Sequence, residues 1–232
     1  MRRCGLTSVP DWVWGLSELN LLDLGENALT RMPDAVGELT ALSRLFLHGN
    51  RLTAVPDALG RLGQLTVLDL GHNVLAAVPE AVANLAALRV LYLGDNRLTS
   101  VPAEMGTLHR LRYLGAQHNR FQELPQAIAE LVGLLELRLS GNGLRTLSPS
   151  IGRMTALREL DLRDNELTEL PDAIGELAEL RVLDVRANLL TALPESLAQL
   201  RRLVKLDLRW NRLADMPGPA RSLADAGCVV WL

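Results

Sequence analysis

One pattern of residues recurs every 23 positions along almost the whole chain. Its clearest copy runs from Leu88 to Pro102 and carries four leucines, a central asparagine and a final proline. The asparagine occurs nine times at this fixed spacing, with no insertion or deletion. These residues are Asn27, Asn50, Asn73, Asn96, Asn119, Asn142, Asn165, Asn188 and Asn211. Such a constant period predicts a solenoid, in which similar coils stack on one another.

Each repeat contains a short segment with the period of a β-strand. Leu91, Tyr92 and Leu93 alternate between inward and outward positions. A strand this short is not stable alone, so we expect neighbouring strands to pair in parallel, about 4.8 Å apart. The buried leucines then contribute roughly 1.5–3 kcal/mol each. We expect the asparagine amide to satisfy backbone groups where the chain leaves the strand, and the return segments to form one-turn or 3-10 helices.

The repeat L-x-x-L-x-L-x-x-N-x-L-T-x-[LVM]-P-x-x-[IVL]-G-x-L resembles the leucine-rich repeat, in the 23-residue Leu-Pro type of bacterial and intracellular Ras-suppressor-like proteins. The resemblance implies an α/β solenoid, a right-handed superhelix with a curved parallel sheet of about ten short strands on its concave face. Loops and 3-10 turns are expected on the convex face. We expect a single domain over 1–232, with a partial N-terminal capping turn at 1–18, nine repeat cores at 19–211 and a degenerate C-terminal capping turn at 212–232.

The two ends of the chain depart from the repeat. Trp12 and Trp14 align with small residues of the next coil, and we interpret them as an N-terminal cap. In the last coil, Ala226, Val229 and Trp231 align with three core leucines of the preceding coil. This alignment leaves an apolar edge strand, and such an edge can pair with another chain. We therefore expect a monomer that could form a weak dimer through its C-terminal edge strand.

Composition limits the classes of partner. The net charge of −3 argues against nucleic acid as the main partner. The only cysteines, Cys4 and Cys228, lie at opposite ends of the predicted solenoid and cannot pair within it, which favours a reducing compartment. No segment has the pattern of a signal peptide or the length of a membrane span. We expect a cytoplasmic protein with no membrane partner, or alternatively a secreted effector that is delivered into a host cell.

Outward strand positions predict the surface that meets a partner. The first half of the chain carries aromatic, aliphatic and histidine side chains there, as the core of an interface requires. Gly115 is expected to leave a dent between Tyr92, Tyr113, Gln117 and Arg138, which we interpret as the hot spot. The predicted partner-binding residues are Phe46, His48, Val67, Val90, Tyr92, Tyr113, Gln117, Arg138, Asp161, Arg163, Asp184, Arg186, Asp207, Arg209 and Trp210.

Three successive strands of the second half repeat the motif Asp-x-Arg, beginning at Asp161, Asp184 and Asp207. Stacking places the aspartates in one row and the arginines in the next. Two interpretations are open at this point. The rows form either a lattice of surface charges that neutralise each other, worth about 0–1 kcal/mol per pair, or a charged docking surface that sets specificity.

His72, Asp95 and His118 fall in one column on three successive coils. Imidazole and carboxylate groups are metal ligands, but side chains on a flat column splay apart instead of converging on an ion. We interpret the column as a hydrogen-bonded polar rim. No pocket, nucleophile or oxyanion donor accompanies it, so we predict no catalytic residue, no metal site and no cofactor.

The surface and the repeat together predict a non-catalytic module that binds a protein or peptide on its concave sheet. The family resemblance implies protein–protein interaction as the usual role, as in scaffolds, regulators of small GTPase signalling and bacterial effector recognition domains. The alternative function is substrate recognition for a larger bacterial effector or signalling enzyme whose catalytic part is absent from this chain.

Overall fold

The computed structural model describes every residue from Met1 to Leu232, and the chain divides into two compact units, Met1–Asn119 and Arg120–Leu232. Each unit contains five three-residue strands, one per coil, that pair in parallel and in chain order. A short helix lies between successive strands. The predicted fold class, an α/β solenoid of short parallel strands and 3-10 turns, is confirmed.

The strands of the first unit pair in a constant register. They are β1 Leu21–Asp23, β2 Arg44–Phe46, β3 Val67–Asp69, β4 Val90–Tyr92 and β5 Tyr113–Gly115. The 3-10 helices of this unit are Asp11–Gly15, Asp34–Glu38, Asp57–Arg61, Glu80–Asn84 and Ala103–Thr107. Leu45 pairs with Leu68, and Leu68 pairs with Leu91, so equal positions of the repeat lie side by side.

The second unit repeats this arrangement with two α-helices among its return segments. Its strands are β6 Glu136–Arg138, β7 Glu159–Asp161, β8 Val182–Asp184, β9 Lys205–Asp207 and β10 Val229–Trp231. Its helices are α1 Gln126–Ala129, the 3-10 helices Pro149–Arg153, Asp172–Glu176 and Glu195–Gln199, and α2 Gly218–Asp225. The longest of them, α2, has eight residues, and none has the length and apolarity of a membrane span.

Proline starts most of the short helices. Pro33 has an extended backbone and precedes the helix Asp34–Glu38, where its carbonyl accepts the N–H of Val36 at 3.1 Å. The chain loses no hydrogen bond there, because an amide at the start of a helix lacks an internal acceptor in any case. The helix ends at Glu38, and the N–H of the next residue, Leu39, donates to the carbonyl of Val36 at 3.3 Å. A single turn is enough to bring the chain back to the next strand.

The repeated asparagine joins each coil to the one before it. The Oδ1 atom of Asn96 accepts the N–H of Leu75 at 3.0 Å. Its Nδ2 atom donates to the carbonyl of Leu93 in its own coil and to that of Leu70 in the preceding coil, both at 3.0 Å. Asn96 is only 9 % exposed, so without it the N–H of Leu75 would lie in the core without a partner. The carbonyls of Leu70 and Leu93 each accept from a second asparagine as well, Asn73 and Asn119 respectively. The same three bonds recur at Asn50, Asn73, Asn119, Asn165, Asn188 and Asn211.

The predicted alignment of the last coil is wrong by one residue. Val230, not Val229, pairs with Leu206, and Trp231 pairs with Asp207. The return segment holds the eight-residue helix α2 in place of a five-residue 3-10 turn, and it therefore needs an additional residue. As a result, the side chains of Val229 and Trp231 are 50 % and 39 % exposed instead of buried in the core.

The first coil meets its predicted capping role only in part. Trp14 is 6 % exposed and belongs to the core, as expected for a cap. Trp12 is 65 % exposed, so the expectation that both indoles cover the open end is wrong for Trp12. The helix Asp11–Gly15 explains the difference, because its single turn directs two residues separated by one position to different sides.

Replacement of Asn96 by alanine should lower the free energy of unfolding by about 2–3 kcal/mol. The change leaves the buried N–H of Leu75 without a partner, and it removes one of the two asparagine donors that each of the carbonyls of Leu70 and Leu93 accepts. Urea unfolding followed by circular dichroism measures the effect. Arg97→Ala, at the exposed next position, is the control and should change stability by less than about 0.5 kcal/mol. Equal stability of the two variants would contradict the role of the asparagine.

Candidate binding surface

In each unit, the outward side chains of the strands form a surface that we call the sheet face. The central residue of every strand but the last is a buried leucine, while the first and third residues face outward to different degrees. The residue two positions after each strand continues the same surface. Because the register is constant, each of these positions forms a straight column across the strands of its unit.

An apolar cluster lies on the sheet face of the first unit, and we call it the aromatic face. It consists of the half-buried side chains Phe46, Val67, Val90, Tyr92 and Tyr113. The ring centroids of Tyr92 and Tyr113 are 4.8 Å apart, with an angle of 49° between the ring planes. Aromatic pairs at this distance attract each other by about 0.5–1.5 kcal/mol beyond their buried area. The two tyrosines are therefore ordered before any partner arrives.

The predicted dent at Gly115 is not open. A side-chain carbon at this glycine would lie 3.0 Å from the Oη of Tyr113 and 3.1 Å from the Oε1 of Gln117. These two side chains cover Gly115, which is itself buried. The hot-spot hypothesis therefore applies to the pair Tyr92–Tyr113 and no longer to a dent at Gly115. Arg138, predicted as a wall of the dent, lies at the end of β6 in the second unit and contacts Glu136, with 2.6 Å between Nε and Oε1.

A histidine fills the space above another glycine of the first unit. A side-chain carbon at Gly25 would lie 2.5 Å from the Cε1 of His48, so only glycine allows the imidazole to occupy this place. The Nδ1 of His48 lies 3.2 Å from the Oδ2 of Asp69, and its ring meets that of Phe46 edge-on at 6.5 Å. His48 therefore links the aromatic face to a carboxylate. The alternation of glycine with a long side chain in one column is a sequence signal that could have predicted this contact.

Aspartates at the third strand position support the backbone, a role that the sequence analysis missed. In the first unit, the Oδ1 of Asp69 accepts the N–H of Gly71 at 3.0 Å. In the second unit, Asp161 and Asp184 accept the N–H of the arginine two residues further on, each at 3.2 Å. A short side chain that bonds to the backbone two residues later is typical of turns, so the spacing Asp-x-Gly could have revealed this role.

The Asp-x-Arg rows of the second unit are paired within each coil. The closest nitrogen–oxygen distances are 3.5 Å for Asp161–Arg163, 3.3 Å for Asp184–Arg186 and 2.7 Å for Asp207–Arg209. The side chain of Asp207 has no exposed surface, so its predicted direct contact with a partner is wrong. Of the two interpretations, the distances favour the lattice of mutually neutralised charges.

The carboxyl groups of Asp184 and Asp207 differ in acidity. Burial raises the pKa of Asp184 above its ordinary value, and the hydrogen bond and charge of Arg186 only partly offset this effect. Burial also acts to raise the pKa of Asp207. There it is outweighed by hydrogen bonds from the guanidinium and backbone of Arg209 and by the charge of Arg186, so the pKa of Asp207 is lowered. Folding therefore favours the charged form at Asp207 and opposes it at Asp184.

A shallow depression of about 130 Å³ lies on the sheet face of the second unit. Glu136, Glu159, Asp161 and Asp184 give its wall an acidic character, and Val182 and Arg138 complete the outward lining. Glu136 is paired with Arg138 and Asp161 with Arg163, which leaves Glu159 as the outward carboxylate without a basic partner.

The column of His72, Asp95 and His118 forms a polar rim beside the aromatic face. The carboxylate of Asp95 lies between the two imidazoles, 3.5 Å from the Nε2 of His72 and 3.0 Å from the Nδ1 of His118. No group of three or more such side chains has the geometry of a metal site. In the same column, Glu26 binds Arg3 and Arg2, and these hydrogen bonds lower the pKa of Glu26 to about 2.

Models of one family match nearly all of the chain. The model described as "Leucine-rich repeat region" matches residues 72–160 and 149–225, and the model "Leucine rich repeat" matches residues 3–52 and 17–75. No curated protein matches the sequence significantly.

Many solved structures resemble the chain in fold, and two of them show the extent of the similarity. One is a plant peptide hormone receptor, RGFR1 in complex with RGF2, with 25 % identity and a TM-score of 0.66 over 88 % of this chain. The other is PEPR1-AtPEP1, with 29 % identity and a TM-score of 0.71 over 87 % of this chain. The chain spans 38 % of the length of the first and 33 % of the second.

Replacement of Asp207 by asparagine should lower the free energy of unfolding at pH 7 by about 2–3 kcal/mol, because hydrogen bonds to charged groups are strong. The pKa of Asp207 is lowered on folding, so the contribution of its charge is complete above the ordinary carboxyl pKa of about 4. It is lost as the pH falls through the lower folded pKa. Urea unfolding at pH 7 and at pH 3 should show that the free energies of unfolding of the variant and the parent differ less at pH 3.

Asp184→Asn is the matched control, because burial raises the pKa of Asp184 and the charged form is disfavoured by folding. This variant should lose less stability at pH 7 than Asp207→Asn. Equal losses of stability in the two variants at pH 7, or a loss in Asp207→Asn that grows as the pH falls, would contradict the lowered pKa of Asp207.

Proposed function

Because the chain belongs to the leucine-rich repeat proteins, we propose that it is a non-catalytic module that binds a protein or peptide through its sheet face. The main contact in this proposal is the aromatic face of the first unit. One of the structures that share its fold is a plant peptide hormone receptor in complex with RGF2. This similarity supports a peptide or protein as the class of partner.

The Tyr92–Tyr113 pair is the observation that carries the proposal. Both rings lie on the solvent side of the strands and are held 4.8 Å apart, with Tyr113 resting on Gly115. Side chains that are already ordered lose little conformational entropy when a partner docks, so more of the contact energy is available for affinity. Tyrosine is also among the residues that dominate interface hot spots.

A polar rim borders this apolar cluster. Just after the ends of the strands, His48 contacts Asp69, and Asp95 contacts both His72 and His118. An apolar centre with a polar border is the usual anatomy of a protein interface, in which the rim limits the access of water to the centre. The arrangement supports binding rather than catalysis, because the histidines are occupied by carboxylates and no nucleophile lies beside them.

We also keep the cytoplasm as the proposed location. Both cysteines are free, and the thiol of Cys4 is exposed, which suits a reducing compartment. The alternative role, substrate recognition for a larger effector or signalling enzyme, would use the same aromatic face.

Tyr92→Ala and Tyr113→Ala should each weaken binding of the natural partner by more than about 1 kcal/mol. The partner can be captured from the source cells with the parent protein, and the affinities then measured by isothermal titration calorimetry. Glu38→Ala and Arg61→Ala are the controls, because both residues are exposed on 3-10 helices of the same unit and lie off the sheet face. Equal losses in the tyrosine variants and in these controls would refute the proposal.

A further inference from the structure

A second cluster of exposed aromatic side chains lies at the end of the second unit. Trp210 follows β9 and is 71 % exposed, and Trp231 ends β10 and is 39 % exposed. Val229, also in β10, is 50 % exposed on the same sheet face. We call this cluster, together with Lys205 and Arg209, the tryptophan patch. It contains no residue of the aromatic face, which belongs to the first unit.

Two cations lie against the indole rings of the tryptophan patch. The Nζ of Lys205 is 4.3 Å from the ring centroid of Trp231. The Cζ of Arg209 is 4.7 Å from the same centroid and 5.6 Å from that of Trp210. Cations at these distances are attracted to the electron-rich faces of the rings. Lys205, Arg209 and the two indoles thus form one ordered group of positive charge and apolar surface.

The conformation of Trp210 is unfavourable for folding. Its backbone φ is 59°, in the left-handed region that glycine, asparagine and aspartate adopt more readily than bulky residues. The positive φ belongs to this repeat position, since it occurs there in every coil, at Gly49 and Gly141 but also at residues such as His72. The indole of Trp210 gains little burial in return, because most of it is exposed.

Lys205 gives the tryptophan patch a net positive charge, although Asp207 neutralises Arg209. Arg209 bonds to Asp207 through Nε at 2.9 Å and Nη2 at 2.7 Å, but that carboxylate is fully buried beneath the patch. Lys205 has no carboxylate partner, and neither has the exposed Arg212 that follows the patch. A partner therefore meets the cations and the indoles but not the aspartate.

From this charge and burial we propose that the tryptophan patch binds an acidic segment of a partner protein, one in which carboxylates alternate with large apolar side chains. The carboxylates of this segment contact Lys205 and Arg209. These two cations are themselves held in place by their contacts with the indole rings. The apolar side chains contact Trp210, Trp231 and Val229. The inference rests on the proposed binding role of the chain, but it does not depend on the aromatic face.

Single-stranded nucleic acid is the rival partner for a patch of tryptophan and basic residues, since bases stack on aromatic rings. Nucleic-acid binding, however, gains most of its affinity from many phosphate contacts along a basic track. The column that leads to Lys205 along the second unit begins with Glu136 and Glu159, which would repel phosphates. The observations therefore favour an acidic peptide.

The test is fluorescence anisotropy on the full chain with a labelled peptide, Ser-Glu-Glu-Leu-Asp-Glu-Leu-Ser. The comparison peptide has glutamine and asparagine in place of the acids, and we expect it to bind at least about tenfold more weakly. Trp210→Gly and Lys205→Gln should each weaken binding of the acidic peptide by about five- to tenfold. Glycine suits the positive φ at this position, so circular dichroism should show a folded Trp210→Gly variant with an unchanged or higher melting temperature.

Trp12→Ala is the matched control, because Trp12 is exposed to a similar degree but lies in the first unit. This variant, and Tyr92→Ala, should bind the acidic peptide like the parent. The inference is overturned if the acidic and amide peptides bind equally, or if Trp210→Gly and Lys205→Gln leave affinity unchanged. It is also overturned if oligothymidylate binds more tightly than the acidic peptide and is lost in the same variants. Such a failure does not affect the proposal for the aromatic face, because the tyrosine variants test that surface separately.

Discussion

The bend that follows each strand is the constraint on which the rest of both units depends, because it directs backbone polar groups into the core. One asparagine amide satisfies them, since it offers an acceptor and two donors in a short, rigid side chain. In Asn96 these bonds reach residues 21 and 26 positions earlier in the chain. A change in the length of one coil would therefore break bonds in two coils, which explains why the asparagine spacing is constant throughout the sequence.

That constraint explains why the strands could be predicted from sequence and the last coil could not. In the regular coils, the asparagine bonds set the offset between neighbouring strands, so the strand position follows from simple counting. No asparagine of the repeat follows Asn211, and helix α2 changes the length of the return segment. Trp231 consequently lies on the sheet face, although its sequence position suggested the core. Where no asparagine joins two coils, the register of their strands depends on the length and geometry of the helix between them, and the 23-residue period does not predict these.

The sequence predicts which residues share a column of the candidate site, but it does not predict which groups their side chains contact. The sequence shows that Gly115 has no side chain, yet it does not show that Tyr113 and Gln117 turn to cover it. In the same way, it places Asp207 in an outward position, whereas the side chain bends back to the N–H of Arg209 and becomes buried. Rotamers respond to vacant space and to unpaired backbone groups nearby, and both depend on the packed structure.

This behaviour of the aspartates has a consequence for recognition. The chain carries a net charge of −3, but charges counted along the sequence differ from those that a partner encounters. At the end of the second unit, Asp207 is buried while Lys205 remains partly exposed against an indole ring. A backbone N–H group just after the strand binds the aspartate side chain, and the neighbouring basic side chains remain at the surface. The partner chemistry of a sheet face is therefore determined by which charges the backbone binds, more than by overall composition.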